Sequence, residues 1–308
     1  MFLKFSFHIF LLLSLSANIE ANTYYISNSL GNDNNNGLSS NQPFKSIEKL
    51  NSITFQSGDS ILFKSGDTWE GMFWLKGSGT NSNPIVVNSF GNGAKPIING
   101  NGYQACILIY NHENIEINNL ELTNETSHLD SLGNTKKLAG FGGVENTWGS
   151  GKNVRFGIKI VGNTKSLSGF KLKNLTIHDV FPTPDLSQHI HKGYGIKLET
   201  QSDTSISLLN TISKVIISNC TVTKTGHYGI WIKSLGLNKI DSIKNADIEI
   251  YDCSFENTGG SGFVPNKSEN VLVHNCIFNH SGSNIDPRMW KRGSGMWPFD
   301  CKNVVSEH

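Results

Sequence analysis

Val215-Ile-Ile-Ser-Asn-Cys-Thr-Val222 is apolar at its first, third, sixth and eighth positions and carries an asparagine at the fifth. Period-two alternation marks a strand, and here it changes phase at the asparagine. Two short strands therefore meet at a bend. The same pattern runs through Ile115-Glu-Ile-Asn-Asn-Leu-Glu-Leu122, Phe170-Lys-Leu-Lys-Asn-Leu-Thr-Ile177, Ile248-Glu-Ile-Tyr-Asp-Cys-Ser-Phe255 and Val271-Leu-Val-His-Asn-Cys-Ile-Phe278. The bend residues are then Asn119, Asn174, Asn219, Asp252 and Asn275, each able to bond the next copy about 4.8 Å away. A further strand opens on glycine in each copy: Gly157-Ile-Lys-Ile160, Gly195-Ile-Lys-Leu198, Gly229-Ile-Trp-Ile232, Gly262-Phe-Val-Pro265 and Gly295-Met-Trp-Pro298. Each coil thus holds three short strands. The tightest copies lie 23 and 33 residues apart, a solenoid period. One coil cannot bury its own apolar face, and stacking supplies the core. The expected fold class is all-β, a single-stranded right-handed parallel β-helix with an N-terminal capping segment. The handedness comes from the crossover rule. A β-sandwich is the competing architecture and would replace rung register with hairpins.

Composition agrees. The chain has 308 residues, 31 Gly and 36 Asn, so it turns often. Charged residues make up 17%, too few for a charged disordered chain, and a net charge of +1 argues against a nucleic-acid binder. No apolar run beyond the N-terminus reaches the roughly 18 residues of a membrane span. Residues 1–21 have Lys4, an apolar run from Phe5 to Leu15 and small residues near Ala21, the layout of a secretory signal peptide. That places the mature chain outside the cytoplasm: secreted, periplasmic or on the cell surface. Residues 22–308 then form one β-helix domain, expected to act as a monomer. Asn303-Val-Val-Ser-Glu-His308 starts another repeat and stops, so a truncated chain is expected. The inward position shared by Leu120, Leu175, Cys220, Cys253 and Cys276 suits free buried thiols, with a disulfide between neighbours the alternative.

The opening segment adds a likeness. Tyr24-Tyr-Ile-Ser, Gly31-Asn-Asp-Asn-Asn-Asn-Gly37 and Gln42-Pro-Phe-Lys-Ser-Ile-Glu-Lys-Leu50 resemble the start of many secreted β-helix proteins. Gly58-Asp-Ser-Ile-Leu-Phe-Lys-Ser-Gly-Asp-Thr-Trp69 and the run from Gly79 to Gly100 resemble their first rungs. The resemblance is to the pectate-lyase-like superfamily of carbohydrate-active enzymes. It implies a first strand, a turn and a short helix that plugs the end of the stack. It transfers no catalytic residue.

Alternation places Lys159, Lys197, Trp231, Val264 and Trp297 in one outward file, and Val161, Glu199, Lys233, Asn266 and Phe299 in the next. Indoles stack on sugar rings and lysines pair with carboxylate or sulfate. Lys159, Lys197, Glu199, Trp231, Lys233 and Trp297 are therefore the candidate substrate contacts, against the plainer reading of a solvated sheet. The long insertions all enter this strand type. They carry His128, Asp130, Glu145 and Trp148; then Asp185, His189, His191 and Lys192; then Lys224, His227 and Tyr228; then Asp286, Arg288, Lys291 and Arg292. This basic cluster on a nearly neutral chain suggests an anionic partner, an acidic polysaccharide or oligosaccharide.

Two chemistries fit. A lyase needs a base beside a uronate and a cation to neutralise its carboxylate. His191, His227 or Lys192 would be the base, Tyr228 the proton donor, and Arg288 or Arg292 the neutraliser. A glycoside hydrolase needs two carboxylates, drawn from Asp179, Glu199, Asp286 and Asp300. The basic cluster tilts the expectation to the lyase. A non-catalytic carbohydrate-binding β-helix is the third reading. No metal motif matches: His189 and His191 lack a third ligand, and Asp33 either helps to hold calcium or sits in a Gly/Asn turn.

Overall fold

The computed structural model describes residues 20–125, 154–182, 191–200, 210–234 and 244–307. The described strands pair in parallel and fall into three sheets, which the chain visits in turn. The first sheet has nine described strands, from Thr23–Ile26 to Lys302–Glu307. The second has seven, from Thr68–Glu70 to Ile277–Asn279, and the third has six, from Phe73–Leu75 to Phe263–Pro265. This is the expected β-helix, with stacked turns in place of hairpins.

The bends behave as the asparagines require. Asn119, Asn174, Asn219, Asp252 and Asn275 all have φ of 51 to 55°, the left-handed region. That conformation costs an ordinary residue roughly 1–2 kcal/mol, and Asn and Asp tolerate it best. Each bend seats flanking side chains such as Ile217 and Val222 at 0% exposure. Burial is worth about 1.5–3 kcal/mol per side chain, so packing outweighs the strain. The asparagine ladder is shorter than expected. The Asn219 amide donates to Asn174 Oδ1, but Asn174 donates to Asn118 Oδ1 at 2.7 Å and Asn119 to Ser89 Oγ at 2.5 Å.

Two further left-handed files escape the sequence pattern. Asn114, Lys214, Asp247, Asn270 and Asn303 lie at or near the starts of first-sheet strands with positive φ. Asp179, Lys224, Asn257 and His280 close the second-sheet strands, with φ of 49 to 52°. The second of these files mixes residue types, so no shared chemistry marks it in the sequence.

The core is the inward stack of the three sheets. Phe170, Val215, Ile248 and Val271 sit in one register file, and Leu172, Ile217, Ile250 and Val273 in the next. Leu120, Leu175, Cys220 and Cys253 are buried as expected, Cys276 is partly buried, and all five cysteines are free thiols. At the N-terminal end, Thr23–Ile26 pairs with Ser60–Lys64. A helix, Ile47–Asn51, follows, capped by Ser46, whose hydroxyl accepts the Lys49 N–H at 3.1 Å. Ile47 and Leu50 enter the core with Phe44 and Phe55, closing that end. Asp33 accepts N–H bonds from Lys45 and Ser46 at 2.8 and 3.0 Å and the Ser46 hydroxyl at 2.7 Å. Its oxygens thus tie the Gly/Asn turn to the helix start. Residues 1–19 of the expected leader lie outside the described residues, and no described helix is long and apolar enough to cross a membrane.

Candidate functional site

The corner between second and third sheets is set by glycine. A Cβ at Gly157, Gly195 or Gly229 would fall 2.6 Å from the carbonyl oxygen of the next glycine in the file. It would also reach Ile177, Val222 or Phe255 in the core at 2.6–2.9 Å. With that side closed, the preceding residue points outward. Phe156 and Tyr194 stack at 5.5 Å, and Tyr194 stacks on Trp231 at 5.5 Å. Tyr228 meets Trp231 edge-on at 5.3 Å. With Met72, Ala105, Leu108, Val161 and Val264 they form a second apolar cluster on the outside of the coil. The sequence reading missed Phe156, Tyr194 and Trp290. An aromatic residue before the file glycine, in Phe156-Gly157, Tyr194-Gly195 and Tyr228-Gly229, was the available signal.

This cluster corrects the expected sugar face. The files themselves hold: Lys159 pairs in register with Lys197, Lys197 with Trp231, and Trp231 with Val264. The Trp297 N–H donates to the Phe263 carbonyl at 3.0 Å, which continues the stack. The face is not solvated, however. Lys159 is 2% exposed and Glu199 6%, while Trp231, Lys197 and Lys233 are partly buried. Glu199 takes Lys159 Nζ at 2.8 Å and Lys197 Nζ at 2.5 Å. Burial works to raise the Glu199 carboxyl, but the two ammonium groups outweigh it and hold it well below the carboxylate range. Lys197 and Lys233 lie 4.2 and 4.8 Å from the Trp231 ring centre. Lys159, Lys197, Glu199 and Trp231 thus contact one another, and in this file, among the described residues, Trp297 keeps an exposed indole at 44%.

Of the loop residues, His191, His227, Tyr228 and Trp290 come together. His227 stacks on Tyr228 with ring centres 3.9 Å apart and meets Trp290 edge-on at 4.3 Å. Its Nδ1 shares a 3.1 Å hydrogen bond with the Tyr194 hydroxyl. Trp290 N–H donates to the Gly226 carbonyl at 3.0 Å, which locks the fourth insertion onto the corner. Arg292 lies 5.9 Å from the Trp290 ring centre. His191 is close enough that its charge disfavours a proton on His227. Both His191 Nδ1 and His227 Nε2 are buried without a hydrogen-bond partner. Leaving such a nitrogen unmet costs about 1–3 kcal/mol.

Other candidates move to supporting roles. Arg288 is not a free neutraliser. Its Nη2 donates to Glu125 Oε1 at 2.6 Å and Asp286 Oδ2 at 2.7 Å, and the guanidinium covers Phe181 at 4.3 Å. It clamps the starts of the first two insertions to the fourth, and Asp286 is held below the usual carboxylate range chiefly by that bond. Tyr228 is 6% exposed between His227 and Trp231, so it supports the imidazole face and is poorly placed to deliver a proton. Asp179 pairs with His178 Nδ1 at 2.7 Å and Lys224 at 3.6 Å. Asp300 is bound by Lys267 at 2.7 Å and Lys244 at 3.2 Å, away from the insertions. Lys192 and Lys291 are exposed. Lys192 and Arg292 occupy equivalent positions but on different coils, before Gly193 and Gly293, so they do not meet. His128, Asp130, Glu145, Trp148, Asp185 and His189 lie outside the described residues, and no described cluster of three or more His, Cys, Asp or Glu could hold a metal ion.

Burial, then the charges of His191 and Lys197, hold His227 down to about 3. An unfolded histidine titrates near 6.5. Between those values the unfolded chain binds a proton that the folded one refuses, so stability falls as pH drops through this window. The melting temperature should decline from about pH 6.5 towards pH 4. In His227→Phe, which keeps the stack, the decline should be visibly shallower. Parallel profiles would mean that His227 is not buried neutral.

Residues 85–297, well over half of the chain, match the family described as right handed beta helix region. The chain belongs to the right-handed β-helix family. This β-helix is 26% identical to the lacto-N-biosidase of Bifidobacterium longum subsp. longum over 93% of its own length, which is 22% of that relative. It is also similar to the crystal structure of GH136 lacto-N-biosidase from Eubacterium ramulus in its native form. There the TM-score is 0.70 at 25% identity, over 92% of this chain and 51% of that one. An alginate lyase from Paenibacillus sp. str. FPU-7 shares the fold, with a TM-score of 0.52 at 17% identity over 79% of this chain and 68% of that one. The β-helix thus spans about half the length of its solved relative and much less of the curated one.

Proposed function

We propose that this β-helix forms the substrate groove of a glycoside hydrolase acting on an oligosaccharide. The observation that carries the reading is the corner where the described insertion ends meet. Two buried imidazole nitrogens without partners, His191 Nδ1 and His227 Nε2, stand there beside the indole of Trp290. Sugar hydroxyls supply the missing hydrogen bonds, and indole faces stack on the sugar ring. The likeness to lacto-N-biosidases supports hydrolysis, and a lacto-N-bioside is the first substrate to try.

The tilt towards β-elimination rested on free positive charge. In the fold Arg288 is neutralised by Glu125 and Asp286, and Lys159 and Lys197 by Glu199. Arg292, the other candidate neutraliser, pairs with no carboxylate among the described residues, so the preference for hydrolysis rests on the likeness to lacto-N-biosidases. The test is incubation with a chromogenic lacto-N-bioside and with a panel of neutral oligosaccharides. New reducing ends without the ultraviolet absorbance of an unsaturated uronate are expected. His227→Phe should lower kcat/KM by about tenfold, the value of one buried hydrogen bond. Unsaturated products would replace this reading with a lyase, and unchanged kinetics in the variant would move the site elsewhere.

A further inference from the structure

We propose that the groove between Trp290 and Trp297 is a subsite for an acidic sugar residue, one carrying a carboxylate or a sulfate, whose charge is read by Arg292. The inference rests on the oligosaccharide reading above and names the substrate class. The groove encloses about 350 Å³ and is lined by Ser261, Trp290, Arg292, Gly293, Ser294 and Trp297. That is within the range of small-ligand sites, which begins near 300 Å³.

Three features point to this ligand. Trp297 leaves 44% of its surface exposed on the rim, whereas Trp231 in the same file is covered by Tyr194 and Lys197. Arg292 is exposed and lies near the Trp290 ring, but it pairs with no carboxylate among the described residues. Lys291 beside it is exposed as well, whereas the less exposed cations are paired. Arg288 holds two carboxylates, Lys159 and Lys197 share Glu199, and Lys244 and Lys267 share Asp300. The floor is rigid: the Ser294 N–H donates to Ser261 Oγ at 3.1 Å, and the Ser294 hydroxyl to the Met296 carbonyl at 3.1 Å. A planar guanidinium grips a carboxylate or sulfate through two parallel N–H bonds, and an indole takes the apolar face of a pyranose. A neutral sugar would use the indole and leave the guanidinium without a partner.

Native gels cast with polygalacturonate, dextran sulfate or plain dextran test this. The protein should be retarded by at least one acidic polymer and not by dextran, and the two acidic gels separate carboxylate from sulfate. Arg292→Gln should weaken the retardation about fivefold, a change typical of one charge-assisted contact at a partly open site. Trp297→Ala should weaken it as well. Lys302→Gln removes the same charge from an exposed strand of the first sheet and should leave the retardation, taken relative to a polymer-free gel, unchanged. Equal retardation of wild type and Arg292→Gln overturns the subsite, as does an equal loss in Lys302→Gln or equal retardation by dextran. Hydrolysis of neutral oligosaccharides without acidic retardation overturns this inference alone. Retardation that depends on Arg292, without hydrolysis, overturns only the hydrolase reading.

Discussion

Glu199→Gln should cost about 3–5 kcal/mol, the usual consequence of removing one partner from a buried ion pair. Lys159, at 2% exposure, and Lys197 would then face an amide that cannot balance them. At about 2–4 °C per kcal/mol in a large domain, the melting temperature should drop by roughly 10 °C. Adding Lys159→Met removes one of the two ammonium groups that Glu199 balances, keeps an unbranched side chain against Phe156 and should recover part of the loss. A Glu199→Gln protein as stable as wild type would show that the lysines are hydrated, and the buried network would be wrong. Acid gives the same answer by titration. The ionised Glu199 stabilises the fold above the ordinary carboxylate range, and that contribution disappears as pH falls through its lowered folded value.

Gly229→Ala should be the next most damaging single change. The new Cβ would stand 2.6 Å from the Gly262 carbonyl oxygen and 2.9 Å from Phe255 Cδ1. Backbone on one side and core on the other leave little room to yield, so a loss of about 2–3 kcal/mol is expected. Gly66→Ala separates space from conformation. Gly66 has φ +82° but nothing within 4 Å of a Cβ, so only backbone strain of about 1 kcal/mol applies. Thermal melts of the two variants should rank Gly229→Ala clearly below Gly66→Ala. The reverse order would mean that the coils can separate at this corner.

Much of the scaffold was readable. The phase change at Asn119, Asn174, Asn219, Asp252 and Asn275 located the bends, and their left-handed φ angles agree. The register of Lys159 on Lys197 on Trp231 was also readable, because a period of two leaves no choice once one face is apolar. Exposure was not readable. The same alternation that predicted outward lysines could not say that Phe156, Tyr194 and Tyr228 would cover them. Nor could it separate Arg288, held by Glu125 from 163 positions away, from Arg292, which holds no carboxylate among the described residues.

The sequence by itself determined the coil: where strands bend, which side chains point inward and which residues share a file. Those features follow from local backbone preference and from apolar alternation, both written within a few consecutive residues. Only the tertiary structure decided which charges are paired inside the protein and which stay exposed. Ion pairing and burial depend on groups that are distant in the chain and adjacent only after the coils have stacked.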